Sequence, residues 1–272
     1  MSANDALRLV LAAALCAAAW MGVASAASSP QERARAFARL PNFTGIWQSE
    51  AWPLDVSGRP KGNEDELRRL LQLIQPPPYN TEWQAKFAAA SADTAERARR
   101  DATLRACTRN FPAIMEAPYM FEVVSIPEET ALIFENDQVR HIRTTGHDHP
   151  SADELWPTRL GDSVGHWEGD TLVVDTIARA TTEPLAPRAW FSVLSEQAHF
   201  IERLRLTNPN ELEDQLIIED PLALAHPWHI TFKYSRVTQL DRMVPYDCIE
   251  NERNPEVGGK LIVTPSSPPA TH

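Results

Sequence analysis

The sequence predicts a mainly β fold, either an antiparallel barrel-like structure or a strongly bent sandwich, with a helical insertion. Residues 161–176 read GDSVGHWEGDTLVVDT, in which Gly169 and Asp170 supply a tight turn before a β-branched, apolar arm. Residues 228–235 alternate strictly between apolar and polar side chains, which is typical of a strand with one buried face. Several such strands at short spacing favour a barrel or a sandwich.

The N-terminal residues 1–26 predict a cleaved signal peptide and hence a periplasmic or secreted protein. Arg8 precedes an apolar run, and Ala24 and Ala26 form the small-x-small pattern of a cleavage site. No later stretch approaches about 18 uninterrupted apolar residues, so we expect no membrane span. Residues 27–263 are expected to form a single domain, followed by a disordered tail at 264–272.

The remaining elements follow in chain order. A short helical lead-in at 28–40 precedes a first strand at 43–48. The insertion at 61–105 is predicted to be helical because Asn63 and Glu66 form a capping box before apolar residues at helical spacing. Further strands are predicted at 121–124, 131–134, 139–144, 199–206, 212–218 and 228–235. In the first strand, Gly45-Ile46-Trp47 resembles the G-x-W of lipocalin-type (calycin-like) barrels, in which an arginine packs over the tryptophan. Arg253 is the candidate for that arginine.

Composition restricts the partners and cofactors. The net charge of -11 and the lack of basic clusters interleaved with aromatics argue against nucleic acid, which leaves a small molecule as the expected partner. The sequence contains no phosphate-binding loop, dinucleotide fingerprint or paired CxxC motif, so we expect no cofactor. The oligomeric state is left open.

Two cysteines, Cys107 and Cys248, remain after signal cleavage. They form either one disulfide or two buried thiols, and an oxidising compartment favours the bond.

One stretch of the sequence resembles a metal-binding motif. His147, His149, Glu154 and Gly161 match the spacing H-x-H-x4-E-x6-G of the first cupin metal motif. Pro150 breaks the strand that this motif needs, and no companion motif follows, so we predict no metal.

Glu202 lies in the segment from His199 to Leu206, where alternation places it on the apolar face. A carboxyl group there must be paired or have a raised pKa, and both are common at functional sites. The alternative is a structural ion pair with Arg140 or Arg143. His199 is expected on the opposite face.

Several segments together resemble a large family of exported bacterial proteins, mostly of unknown function. The resemblance covers about 43–253 and is carried by the motif at 161–176, by His149-Pro150, and by the ending Cys248-Ile249-Glu250-Asn251-Glu252-Arg253. In the family these read approximately G-x-S-x-G-x-W-E-G-D-T-L-V-V-D-T and C-x-E-N-x-R. The chain departs from the family at 145–150 and 194–195, which are loops, and this implies a specialised member.

Two functions are compatible with these residues. The first is a cofactor-independent lyase, decarboxylase or isomerase, acting on a small apolar or aromatic, possibly acidic, substrate in a barrel cavity. His149 and His199 would act as acid and base and Glu202 as a second carboxylate, while the substrate would contact Arg140, Tyr119 and Trp228. The alternative is a non-catalytic binding or carrier protein for an apolar small molecule.

Overall fold

The computed structural model describes residues 29–50, 76–89, 109–116, 120–146, 148–181, 193–243, 256–257 and 260–261. The chain divides into two compact units, Met1–Arg39 and Leu40–His272. The first unit holds the helix Pro30–Phe37, which begins with a capping box between Ser29 and Glu32. The predictions for the signal peptide, the tail, both cysteines, Tyr119, His147 and Arg253 fall outside the described residues.

Strands dominate the second unit. Nine of them close into a barrel: β1 (Gly45–Ser49), β2 (Met120–Ile126), β3 (Glu129–Phe134), β4 (Val139–Arg143), β5 (Asp162–Glu168), β6 (Thr171–Ile177), β7 (His199–Asn208), β8 (Glu211–Glu219) and β9 (Trp228–Arg236). A separate pair comprises β10 (Glu256–Val257) and β11 (Lys260–Leu261). A one-turn helix spans Ala113–Glu116. Residues 81–89 are also helical, and the rest of the predicted insertion, at 61–75 and 90–105, lies outside the described residues.

The predicted barrel-like fold is confirmed, with one correction to its antiparallel character. Each strand pairs with the next along the chain and β9 pairs with β1, all antiparallel except β4 and β5, which are parallel. A closed ring in which every neighbour is antiparallel needs an even number of strands, so nine strands require a parallel pair. Residue patterns within a strand carry no information on its direction, which is why the sequence did not indicate this pair.

The predicted hairpin forms β5 and β6. Glu168 pairs with Thr171 across a two-residue turn, in which Gly169 adopts a φ of 61°. A positive φ favours glycine, since it lacks a Cβ. The hairpin register matters for the site because it determines which residues of β5 lie beside Asp175.

Aromatic and aliphatic side chains fill the barrel interior. Trp47 is fully buried, donates from Nε1 to the Phe43 carbonyl at 2.9 Å, and packs under the guanidinium of Arg236 at 4.1 Å. Arg236, at the end of β9, thus packs over Trp47, while Arg253 lies outside the described residues. Trp228, at the start of β9, is the residue that we expect to contact a substrate. It is also buried in this interior.

Within the described residues, no helix combines the length and apolar character needed to cross a bilayer.

Candidate functional site

A row of charged and imidazole side chains crosses the outer side of β4 to β8. We call it the outer polar row, and its members in order are Arg143, Asp162, His149, Asp175, His199 and Glu219. Five come from successive strands, and His149 comes from the connection between β4 and β5.

Strand alternation and register explain why these residues meet. On β6, Leu172, Val174 and Thr176 are buried, so Asp175 faces outward. Val164 pairs with Asp175 across the hairpin, which makes Asp162 the diagonal neighbour of Asp175, at a Cα separation of about 7–8 Å. That gap accommodates one imidazole ring, and His149 occupies it.

His149 bridges the two carboxylates. Its Nδ1 lies 2.6 Å from Oδ1 of Asp162, and its Nε2 lies 2.9 Å from Oδ1 of Asp175. Ionised carboxylates only accept hydrogen bonds, so both contacts are satisfied when both ring nitrogens carry hydrogen. The ring is therefore fixed at both ends.

Asp162 is also bound from the opposite side. Both of its oxygens accept hydrogen bonds from the guanidinium of Arg143, each at 2.8 Å. This bidentate contact, assisted by His149, holds the pKa of Asp162 below its ordinary value, against the opposing effect of partial burial. Asp162 therefore remains a carboxylate at neutral pH.

Asp175 joins the two histidines. Its second oxygen, Oδ2, lies 2.8 Å from Nε2 of His199, while the other ring nitrogen, Nδ1, lies 3.5 Å from Glu219. The side chains of Asp175 and His199 are 42% and 33% exposed, so this end of the row is open to solvent. A carboxylate bound to a reachable imidazole can orient that ring for proton transfer.

Glu202 lies inside the barrel, away from both histidines. Its oxygens accept two hydrogen bonds from Arg140, one of them at 2.8 Å, and Arg140 also donates to Thr176 at 2.9 Å. Both partners of this pair are almost completely buried, and the Phe111 ring lies 3.8 Å from the guanidinium. For Glu202, the structure thus shows the alternative of a structural ion pair, and the partner is Arg140. The Arg140 guanidinium, which we expected to bind a substrate anion, is paired with Glu202.

Asp214, on β8, adds a second carboxyl group to this interior. It is fully buried, and within the described residues its oxygens lack a well-formed hydrogen bond. Burial, followed by the charge of nearby Glu202, raises the pKa of Asp214 well above its ordinary value. Burial therefore favours the neutral form of Asp214, which lies beside the Arg140–Glu202 ion pair.

A cleft of about 460 Å³ lies beside the row, between β4 and β5. It is lined by residues 138–141, 143 and 158–163, which include both Arg143 and Asp162. One wall of the cleft is therefore also one end of the outer polar row.

The structure brings together two of the three predicted catalytic residues. His149 and His199 meet through Asp175, whereas Glu202 is separated from them by the barrel wall. Glu154, from the metal-like pattern, is exposed and accepts a hydrogen bond from Ser151 at 2.9 Å. Among the described residues, no group of His, Cys, Asp and Glu is arranged to hold a metal ion.

Sequence reasoning considered Asp175 as a site residue but favoured a structural role for it, and it did not single out Asp162. The signal was available in the hairpin, because its turn fixes the register and alternation then places both carboxylates on the outer face. The sequence did not reveal the path of the loop that places His149 between Asp162 and Asp175.

Searches with the chain matched no protein-family model and no curated protein. The geometry of the outer polar row therefore carries the functional argument.

Proposed function

We propose that this chain is an exported enzyme that transfers protons on a small acidic substrate without an organic cofactor, as lyases, decarboxylases and isomerases do. The observation that carries the proposal is the bridging carboxylate of Asp175, which binds His149 with one oxygen and His199 with the other. A carboxylate that fixes an imidazole in one orientation and tautomer is a recurring arrangement in acid/base catalysis.

His199 is the proposed proton-transferring group. When Nε2 donates to Asp175, the neutral ring carries its lone pair on Nδ1 and can accept a proton there. The contact from Nδ1 to Glu219 is longer than a well-formed hydrogen bond, and the ring is partly exposed. A substrate therefore has access to Nδ1 from solvent.

The other members of the row act as positioning residues in this proposal. His149 holds Asp175 from the side opposite His199, and Asp162 with Arg143 holds His149 in turn. Glu202 and Arg140 belong to the barrel interior and take no part in the proposed reaction.

Export and family membership are part of the same proposal. They rest on the sequence of residues 1–26 and on the motif at 161–176, respectively.

The test is a turnover screen of purified mature protein against aromatic and aliphatic carboxylic acids. Replacing His199 with alanine is expected to lower kcat by about 100-fold or more, the usual contribution of a general acid or base. Replacing His149 with alanine is expected to lower kcat as well, because Asp175 loses the partner that holds it in place. His229→Ala is the matched control, since this histidine is exposed on β9 and the row does not include it. Equal turnover in the wild type and in both row variants would sink the proposal.

A binding or carrier protein is the second candidate, and the cleft beside the row favours it. Its volume lies within the range of about 300–1,000 Å³ that small-molecule sites occupy. Saturable binding of an acid from the panel, with no product formed from any member, would support this candidate and contradict the enzyme.

A further inference from the structure

The pairing between β4 and β5 is short. Two residue pairs join these strands, Ile142 with Ser163 and Arg143 with Val164, whereas β5 and β6 pair along their whole length. Within the described residues, the first part of β4, from Val139 to His141, therefore has no strand partner on this side. Residues 138–141, at this edge of β4, line the cleft.

The cleft holds one positive charge that no described carboxylate balances. Three of its four basic side chains make ion pairs: Arg140 with Glu202, Arg143 with Asp162, and His141 with Glu129. The fourth, Arg159, is exposed. Among the described residues, its side chain donates one hydrogen bond, to Asn110 at 3.5 Å. In a chain of net charge -11, an uncompensated guanidinium in a cleft indicates an anionic ligand.

An exposed tryptophan lies close in sequence to the lining of the same cleft. Trp156 is 72% exposed, the most of any large hydrophobic residue described, and it precedes the lining residue Thr158 by two positions. Consecutive Cα atoms are about 3.8 Å apart, so the two residues lie within about 8 Å. An exposed indole so close to the lining offers a planar apolar surface to a flat ligand.

We propose that the cleft between β4 and β5 binds a small aromatic carboxylate. The carboxylate group of the ligand binds the guanidinium of Arg159, and its ring packs against Trp156. Arginine suits this role because its planar fork matches both oxygens of a carboxylate. The site is distinct from His199, which lies at the other end of the outer polar row, and the proposal does not depend on the reaction proposed there.

Calorimetric titration of the purified protein with three probes tests the proposal. Benzoate carries both the ring and the charge, acetate lacks the ring, and benzyl alcohol lacks the charge. Benzoate is expected to bind at least about tenfold more tightly than either of the others, since each loses one of the two contacts. Absence of saturable benzoate binding, or equal affinity for benzoate and acetate, would overturn the proposal.

Variants locate the binding. Arg159→Gln is expected to weaken benzoate binding by about tenfold or more, because it removes a charge-assisted hydrogen bond. Lys233→Gln removes the same charge from the outer face of β9, across the barrel, and is expected to leave the affinity unchanged. Trp156→Ala is expected to weaken binding and Trp156→Phe to restore most of it. Both residues are exposed, so folding should be unaffected and circular dichroism checks this.

These outcomes separate the two proposals. Benzoate binding that depends on Arg159, in a protein without turnover, would contradict the enzyme alone. Turnover that depends on His199, with benzoate binding indifferent to Arg159, would contradict the cleft proposal alone.

Discussion

At the scale of single residues, Asp214 is a side chain whose charge depends on folding. It is buried beside Glu202, and its pKa in the folded state is raised well above the ordinary aspartate value. For an acid with a raised pKa, the folded state binds more protons than the unfolded state. The contribution of Asp214 to the free energy of unfolding is therefore highest below the ordinary aspartate pKa. It falls as the pH rises towards the pKa of Asp214 in the folded state.

Asp214→Asn is expected to remove this loss. One proton of difference changes the free energy of unfolding by about 1.4 kcal/mol per pH unit. Urea unfolding between pH 5 and pH 8 should therefore show the variant gaining on the wild type as the pH rises. Asp170→Asn, at the exposed hairpin turn, is the control. Parallel stability profiles for wild type and Asp214→Asn would contradict the assignment of a neutral Asp214.

At this scale, the sequence predicted the faces on which Glu202 and His199 lie, but it did not decide the partner of Glu202. Alternation alone placed Glu202 on the apolar face and His199 on the opposite one, because strand periodicity is local. Choosing between Arg140 and Arg143 as the partner of Glu202 needed the ring of strands. Both arginines lie on β4, but Arg140 points inward and Arg143 points outward to Asp162.

At the scale of elements, both the backbone conformation and the packing just before β5 favour glycine at position 161. Gly161 has a φ of 75°, and a Cβ built on it would lie 2.7 Å from Cγ2 of Thr176 and 2.8 Å from the Ile177 carbonyl oxygen. Gly146, with a φ of 70°, has open space at the same position. The two glycines share the conformational constraint, and only Gly161 adds a close approach.

Gly161→Ala is therefore expected to destabilise the protein more than Gly146→Ala. Both variants carry a cost of about 1–2 kcal/mol for a left-handed alanine. Only the first must also push β6 away, and this adds to its loss of stability. Thermal unfolding of the two variants measures the difference. Equal melting temperatures would mean that the close contact at Thr176 is not maintained in solution.

The hairpin and the parallel pair show what the sequence reveals of elements. The β5–β6 hairpin was predictable because its turn and both arms are contiguous. The pairing of β4 with β5 was not, since a long connection at 144–161 separates them and no local residue pattern specifies which edges meet.

At the scale of the whole molecule, the order of the strands in the barrel assembles the candidate site. β4 to β8 lie side by side in the ring, so outward residues from five strands meet in one row. The parallel step requires the chain to return from one end of the barrel to the other between β4 and β5. That return path carries His149 to its place between two carboxylates. The fold class was predictable from strand patterns, but this meeting of distant residues was not.

The central claim is that Asp175 orients His199 for proton transfer, and Asp175→Asn tests it most directly. The amide keeps the shape of the side chain but loses the charge that fixes the imidazole. Turnover is to be measured with the best substrate from the carboxylic acid panel, for the wild type, Asp175→Asn and Asp170→Asn. The last removes an equal charge from the nearby exposed turn. The account predicts that Asp175→Asn lowers kcat by about 100-fold or more while Asp170→Asn leaves it unchanged. Equal kcat values for the three proteins, or no turnover of any acid by the wild type, would contradict it.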